Sequence, residues 1–302
     1  MKRILLWMLC VGVSASSLSQ SAPENTLLWR ISGKNLSKPS YLFGTIHLLC
    51  AEDIELSDNL RNAIRTTDKV YLELDMDNFM EMLQAVQKMK MRNDTLLSDL
   101  LPASEYQRVK TYFSKKSSII PFSVLETYKP MLAASLIMQT AASCDQAISM
   151  EQLVMEEAKQ HSKEIKGMET MAYQLSIFDS IPYAVQAKQL INFINDNESG
   201  EKASKDYQEM AAAYRNQQLD KLEKLINKEE FGFEQFSELL LYKRNYNWVN
   251  QLEKILASKS VVLAVGAGHL PGEKGIIKLL RKAGYTVEPV ENKMTSKNLR
   301  VL

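Results

Sequence analysis

Excess charge is the first thing this 302-residue sequence lacks: 37 Lys and Arg stand against 36 Asp and Glu, a formal net charge of +1. That balance removes the electrostatic case for binding nucleic acid or an anionic membrane surface. No block of like charges marks an acidic or basic tail. Histidine and cysteine are scarce, with three of each. Neither Cys50 nor Cys144 has the sulfur or imidazole neighbours in sequence that a zinc site requires. There is no Gly-x-Ser-x-Gly elbow and no His-Glu-x-x-His helix, which argues against the commonest serine hydrolases and zinc proteases. What remains is ordinary for a folded protein, 45% apolar and 24% charged. The length suits one large domain or two small ones.

The N-terminus reads as a secretory signal peptide. Lys2 and Arg3 precede the apolar residues Ile4 to Val13, small polar residues follow, and cleavage is expected between Ala15 and Ala22. The apolar run is too short to cross a bilayer as a stable helix, and no transmembrane segment is expected in the mature chain. Cys10 lies inside that run without small residues before it, so it is not read as a lipid attachment site. Residues 1–22 are therefore set apart as a leader and 23–302 as a single domain, exported to the periplasm or the exterior. Removing the leader leaves Cys50 and Cys144. The pair fits one disulfide in an oxidising compartment, the alternative being two buried free thiols.

Two short apolar runs organise the rest. Tyr41, Leu42, Phe43 and Ile46 mark a buried strand that breaks at Gly44 and delivers His47 where it runs out. Val261 to Val265 is a second run, too short for a helix, that leads into Gly266 and His269. Both strands thus end in Gly-x-x-His. An earlier strand, Thr26 to Ile31, pairs with the first as a hairpin across turn residues at Gly33 to Asn35. Lys69 to Asp75 alternates as a third strand carrying Glu73, expected beside the His47 strand. A helix over Ser57 to Arg65 is capped by Ser57. The methionine-rich stretch from Asn78 to Arg92 reads as a helix, either packed loosely on the core or offering an adaptable peptide-binding face. Lys163 to Gly167 is a short strand, followed by Glu169. Tyr183 to Ser258 is almost wholly helical, and the chain closes as a β-loop-α-β unit with Gly284 as a helix cap. The fold class is α/β, a mixed sheet built from N- and C-terminal strands with a long inserted helical region.

Ligands in such sheets bind beyond the carboxyl ends of parallel strands, so His47 and His269 can meet despite their separation. A lone histidine is more often structural, and His161, at a helix end, needs no role beyond favouring the dipole. Two histidines in matching contexts, with Glu73 from a third strand, form a plausible site for a divalent transition metal ion with positions left for water and substrate. Glu73 in a salt bridge to a lysine or to Arg244 is the structural alternative. Gly266 to Gly272 also reads as a phosphate cradle before a helix, although its spacing is neither a dinucleotide fingerprint nor a P-loop.

These endings resemble the TraB/GumN family, which is related to the Tiki metalloproteases. The resemblance takes in Tyr71 to Asp75, Gly167 to Thr170 with Phe178 and Asp179, and Arg244 and Asn245 with Trp248, and so runs through most of the mature chain. Met168 stands where leucine is commoner. The resemblance implies a metal-dependent peptidase in which His47, His269 and Glu73 bind metal or activate water. Glu169 and Arg244 match further recurrent positions, and Arg244 is read as stabilising a developing oxyanion. The implied partner is a peptide or protein substrate. The alternative function is a non-catalytic protein that sequesters a peptide or haem.

Overall fold

The structure is a computed structural model describing residues 25–51, 54–115, 120–138, 147–199, 201–226 and 236–294. The leader at 1–22 and Cys144 lie outside the described residues.

The strands are β1 (Leu28–Ser32), β2 (Ser40–Thr45), β3 (Leu49–Cys50), β4 (Lys69–Leu74), β5 (Ala147–Ile148), β6 (Glu164–Glu169), β7 (Val261–Gly266) and β8 (Thr286–Val290). Six of them form one sheet in the order β6-β4-β7-β2-β1-β8, and β3 with β5 makes a separate two-stranded pair. β6, β4, β7 and β2 are mutually parallel. β1 is antiparallel to β2 and to β8. The sheet is therefore mixed and draws on both ends of the chain, as the element order implied. One neighbour differs from expectation: β4 does not touch β2, because β7 lies between them, pairing Tyr41 with Val262 and Lys69 with Val261. The physical reason is burial. Val261 to Val265 are all 0% exposed, and an uninterrupted apolar run needs a central place with both faces covered.

The helices follow in chain order. α1 (Asp58–Thr66), α2 (Phe79–Met89), α3 (Leu97–Leu100), α4 (Ala103–Lys115), α5 (Phe122–Leu125) and α6 (Pro130–Met138) lie between β3 and β5. α7 (Met150–Gln160) leads into β6, and α8 (Met171–Ile177), α9 (Tyr183–Ser199), α10 (Glu201–Arg215), α11 (Leu219–Ile226) and α12 (Lys243–Leu256) lead to β7. α13 (Ile276–Lys282) is the crossover to β8. Ser57, Asn78, Ser149 and Thr170 each cap a helix by accepting a backbone N–H, a contribution of about 1 kcal/mol apiece.

β6 extends two residues beyond Gly167, so Glu169 is its last residue rather than a loop residue. The helical stretch after Tyr183 has a break the pattern does not announce. Gln217 adopts a positive φ of 55°, and its side-chain oxygen accepts from the Leu27 backbone and from Asn292, each at 3.0 Å. A tertiary contact to the start of the sheet overrides local helix preference there.

The main core lies against the sheet and includes Leu42, Val70, Val154, Leu222 and Trp248. A second apolar cluster fills the helical insert, where α4, α6 and α9 meet around Val109, Phe113, Ala134 and Leu190. α2 rests lightly on α8. Only Ala85 is buried, whereas Phe79, Met80, Leu83 and Val86 are exposed. Among the described residues no helix is long and apolar enough to cross a membrane.

Candidate active site

Four parallel strands end on one edge, and each brings a polar group to it. β2 ends at Thr45 and releases His47; β4 carries Glu73; β6 ends in Glu169; and β7 ends at Gly266, beyond which a 3-10 turn, Ala267–His269, presents the second histidine. Close approach explains the glycines. A Cβ on Gly44 would stand 3.2 Å from the Cα of Ala267, and one on Gly266 would stand 3.3 Å from Glu73 Oε1. Neither glycine adopts a positive φ; space decides both positions.

α12 supplies the rest. Arg244, Asn245 and Trp248 occupy one face of it, one turn apart, next to a π-helical turn, Glu238–Tyr242. Arg244 is the hub. Its Nη2 donates to Glu73 Oε2 at 2.5 Å and its Nε to Glu169 Oε2 at 2.9 Å. Its Nη1 donates to the Leu240 carbonyl at 2.9 Å and approaches His269 Nε2 at 3.3 Å. The guanidinium lies 4.7 Å from the Trp248 ring, which also packs against the His269 imidazole at 4.5 Å. Gln174 of α8 bridges the two carboxylates, donating to Glu73 and to Glu169 at 3.2 Å each. Glu73 Oε1 accepts from the Gly266 backbone at 2.8 Å.

Hydrogen-bond logic fixes both imidazoles. The Asn245 amide nitrogen donates to the carbonyls of Lys274 and His269, so its oxygen must face His269 Nδ1, 2.6 Å away. His269 Nδ1 therefore carries the proton and Nε2 a lone pair, consistent with the Arg244 contact. His47 makes the same arrangement with a carboxylate: its Nδ1 lies 2.9 Å from Glu151 Oε1. Glu151, on α7, accepts from Thr45 Oγ1 at 2.5 Å as well. His269 Nε2 thus faces Arg244 and Glu73, whereas His47 has only its Nδ1 turned to Glu151.

The charges are set by burial and by Arg244. Burial lowers the His269 pKa to about 4, so the ring is neutral near pH 7. Burial opposes ionisation of Glu73, but cationic neighbours outweigh it and hold its carboxyl at about 2. His269 in its protonated form, the Arg244 guanidinium and His47 all pull in that direction, and the Gly266 N–H adds to them. Glu169 goes the other way, its pKa raised by burial against the pull of Arg244. Two adjacent carboxyls with opposed shifts are a pattern of acid–base sites. At His47 the Glu151 hydrogen bond raises the pKa to about 9. That ring is 76% exposed, standing in the open mouth of the site, and water there weakens the pull.

His47, Glu73, Arg244 and His269 line one cavity of about 550 Å³. Its remaining walls come mostly from α9, α10 and α11, with Phe193, Met210 and Leu222 among them. The sequence-predicted residues thus fall into two groups. Glu73, Glu169, Arg244 and His269 form one network, and His47 shares the cavity but bonds to Glu151. Donor chemistry suits a divalent ion: Glu73 Oε1 and His269 Nε2 are both acceptors, 3.7 Å apart, with no hydrogen to join them. Among the described residues, however, no three His, Cys, Asp or Glu side chains are gathered into a metal cluster, and Arg244 holds the nearest donor atoms. Glu151 and Gln174 are the functional neighbours that motif reading does not assign. Glu151 has a sequence signal: it shares a helical stripe with the buried Val154 and Ala158, where a carboxylate is out of place.

An α/β protein with a His, Glu and Arg site at the carboxyl ends of its parallel strands is the class these features define. A model of the TraB/PrgY/gumN family matches residues 27–289, and the chain belongs to that family. It is similar to the sponge "Metalloprotease TIKI homolog" of Amphimedon queenslandica, 24% identical over 95% of this chain and 66% of the relative. It is also similar to zebrafish (Danio rerio) "Metalloprotease TIKI2", 21% identical over 87% of this chain and 61% of the relative. The chain spans about two thirds or less of the length of these curated relatives. No solved structure matches it.

Proposed function

We propose that the protein is an exported metal-dependent hydrolase, a peptidase acting on a peptide or protein substrate. The observation that carries this reading is the convergence of two imidazoles, each held through Nδ1 by a side-chain acceptor, and an ionised Glu73 on one largely apolar cavity. His47, His269 and Glu73 would hold a divalent ion, which when bound would acidify a water and polarise the scissile carbonyl. The chain's own groups do the rest. Arg244 keeps Glu73 ionised, and with most of its donors engaged it has little more than one N–H to offer a developing oxyanion. Glu169, held by Arg244 and Gln174 beside Glu73, is placed to accept a proton during the reaction. The apolar walls exclude water and receive side chains of the substrate.

The same reading takes 1–22 as a signal peptide, 23–302 as a single domain and Cys50 with Cys144 as a disulfide. Support for the disulfide comes from β3 and β5, which place Cys50 opposite Ala147, three residues from Cys144.

Metal titration of folded wild type and of His47→Ala, Glu73→Ala and His269→Ala, with a peptide-library digest after chelation and metal return, tests the proposal. Binding that weakens in every variant, and cleavage restored by metal, is the expected result. A folded wild type that binds no divalent ion, or three variants that bind it unchanged, would overturn it. A Soret band on haem titration without cleavage would favour sequestration.

A further inference from the structure

We propose that Glu151 is a positioning residue for His47, holding its proton on Nδ1 so that Nε2 is the atom presented to the cavity. This rests on the reading of His47 as a ligand given above. Glu151 lies on α7, over a hundred residues from either histidine motif's partner strand, and is 7% exposed. One oxygen, Oε1, takes both Thr45 Oγ1 at 2.5 Å and His47 Nδ1 at 2.9 Å. The other, Oε2, is buried with no hydrogen-bond partner among the described residues.

That asymmetry is the clue. A carboxylate serving only to fasten α7 to the end of β2 would be costly there, because a buried acceptor without a partner carries its full desolvation penalty. An amide would fill the same space and bond to the same hydroxyl without a buried charge. What the charge adds is a strong, acceptor-only partner for an imidazole N–H. Asn245 does the equivalent for His269 from another helix. The two histidines are thus oriented by two separate side chains, both through Nδ1, and an acceptor on the distal nitrogen is a recurrent means of aiming a ligating imidazole and raising its basicity. Thr45 is part of the device, since its hydroxyl directs Oε1 and sits two residues before the histidine it serves.

The experiment uses the full mature chain, with Glu151→Ala and Glu151→Gln beside wild type. Long-range ¹H–¹⁵N spectra, recorded on metal-free protein at a pH alkaline enough to make His47 neutral, read its tautomer, Zn²⁺ competition titrations read affinity, and thermal melts read stability. Wild type should show the Nδ1–H tautomer. Glu151→Ala should shift it toward Nε2–H and lower Zn²⁺ affinity about 10- to 100-fold. Glu151→Gln keeps an acceptor without the charge, so it should retain the tautomer, lose less Zn²⁺ affinity than Glu151→Ala and melt within about 3 °C of wild type. An Nε2–H tautomer in wild type overturns the proposal without any variant. So does a Glu151→Ala protein with unchanged tautomer and affinity, or a fall in midpoint in both variants with the tautomer intact. If wild type binds no Zn²⁺, the metal reading fails while the tautomer still decides the role of Glu151.

Discussion

Replacing Arg244 by methionine removes the guanidinium that lies on Trp248 while keeping most of the side chain's apolar length. The side chains of Arg244, Glu73 and Glu169 are 10%, 13% and 4% exposed, so the change strands two carboxylates out of water. Breaking a buried ion pair by removing one partner costs about 3–5 kcal/mol, because the other charge stays buried without compensation. Gln174 still bridges the carboxylates and Gly266 still donates to Glu73, which argues for the lower half of that range. The decisive comparison is the triple variant Arg244→Met, Glu73→Gln, Glu169→Gln, in which nothing charged remains to be stranded. Urea unfolding at pH 7 should place the single variant about 3–4 kcal/mol below wild type. The triple variant should recover all but about 1 kcal/mol, the residue of the lost contact with the indole face. A single variant within 1 kcal/mol of wild type, or a triple variant no better than the single, would show that the charge network is not what holds this edge together.

Further predictions concern the rest of the chain. Asp179 pairs with Lys129 and Arg92 and accepts from Tyr183; burial opposes its ionisation, but the hydrogen bonds of Tyr183 and Lys129 prevail and lower its pKa. A depressed carboxyl contributes stability that is complete above the unfolded pKa, about 3.9, and is lost as pH falls through the folded one. Melting midpoints of wild type and Asp179→Asn should thus differ by a constant amount above pH 5 and converge in acid. Parallel curves down to pH 2 would refute the assignment. For Cys50 and Cys144, mass spectrometry after alkylation without reductant should find neither thiol modified. Closing a loop of about 95 residues contributes roughly 4–5 kcal/mol in the chain-entropy view, so reduction should lower the unfolding midpoint; two alkylated thiols would sink the pairing.

Much of this arrangement is legible in the sequence because it is local. Gly-x-x-His at a strand end, an acid within an alternating strand and a capping serine are each visible within seven residues. The order of strands is less so: β7 shows its burial in its composition, but nothing local says that it separates β2 from β4. Glu151 and Gln174 lack motifs, and their roles come from contacts more than 90 residues away in sequence. Arg244 and Asn245 are visible as a motif, yet their division of labour depends on which way an amide is turned. The turn at Gln217 is invisible for the same reason, being dictated by Leu27 and Asn292 across the fold.

The central place of β7 has a consequence for how the molecule comes into being. Without residues 261–266, β2 and β4 have no common partner, and each exposes an unsatisfied edge of backbone donors and acceptors. The helical insert has its own apolar cluster, drawn from residues between Leu97 and Ile194, all of them upstream of β7. The sheet is complete only when a single apolar strand stands between two others and β8 has joined β1, and a chain cut before residue 261 would present two adhesive strand edges to its neighbours.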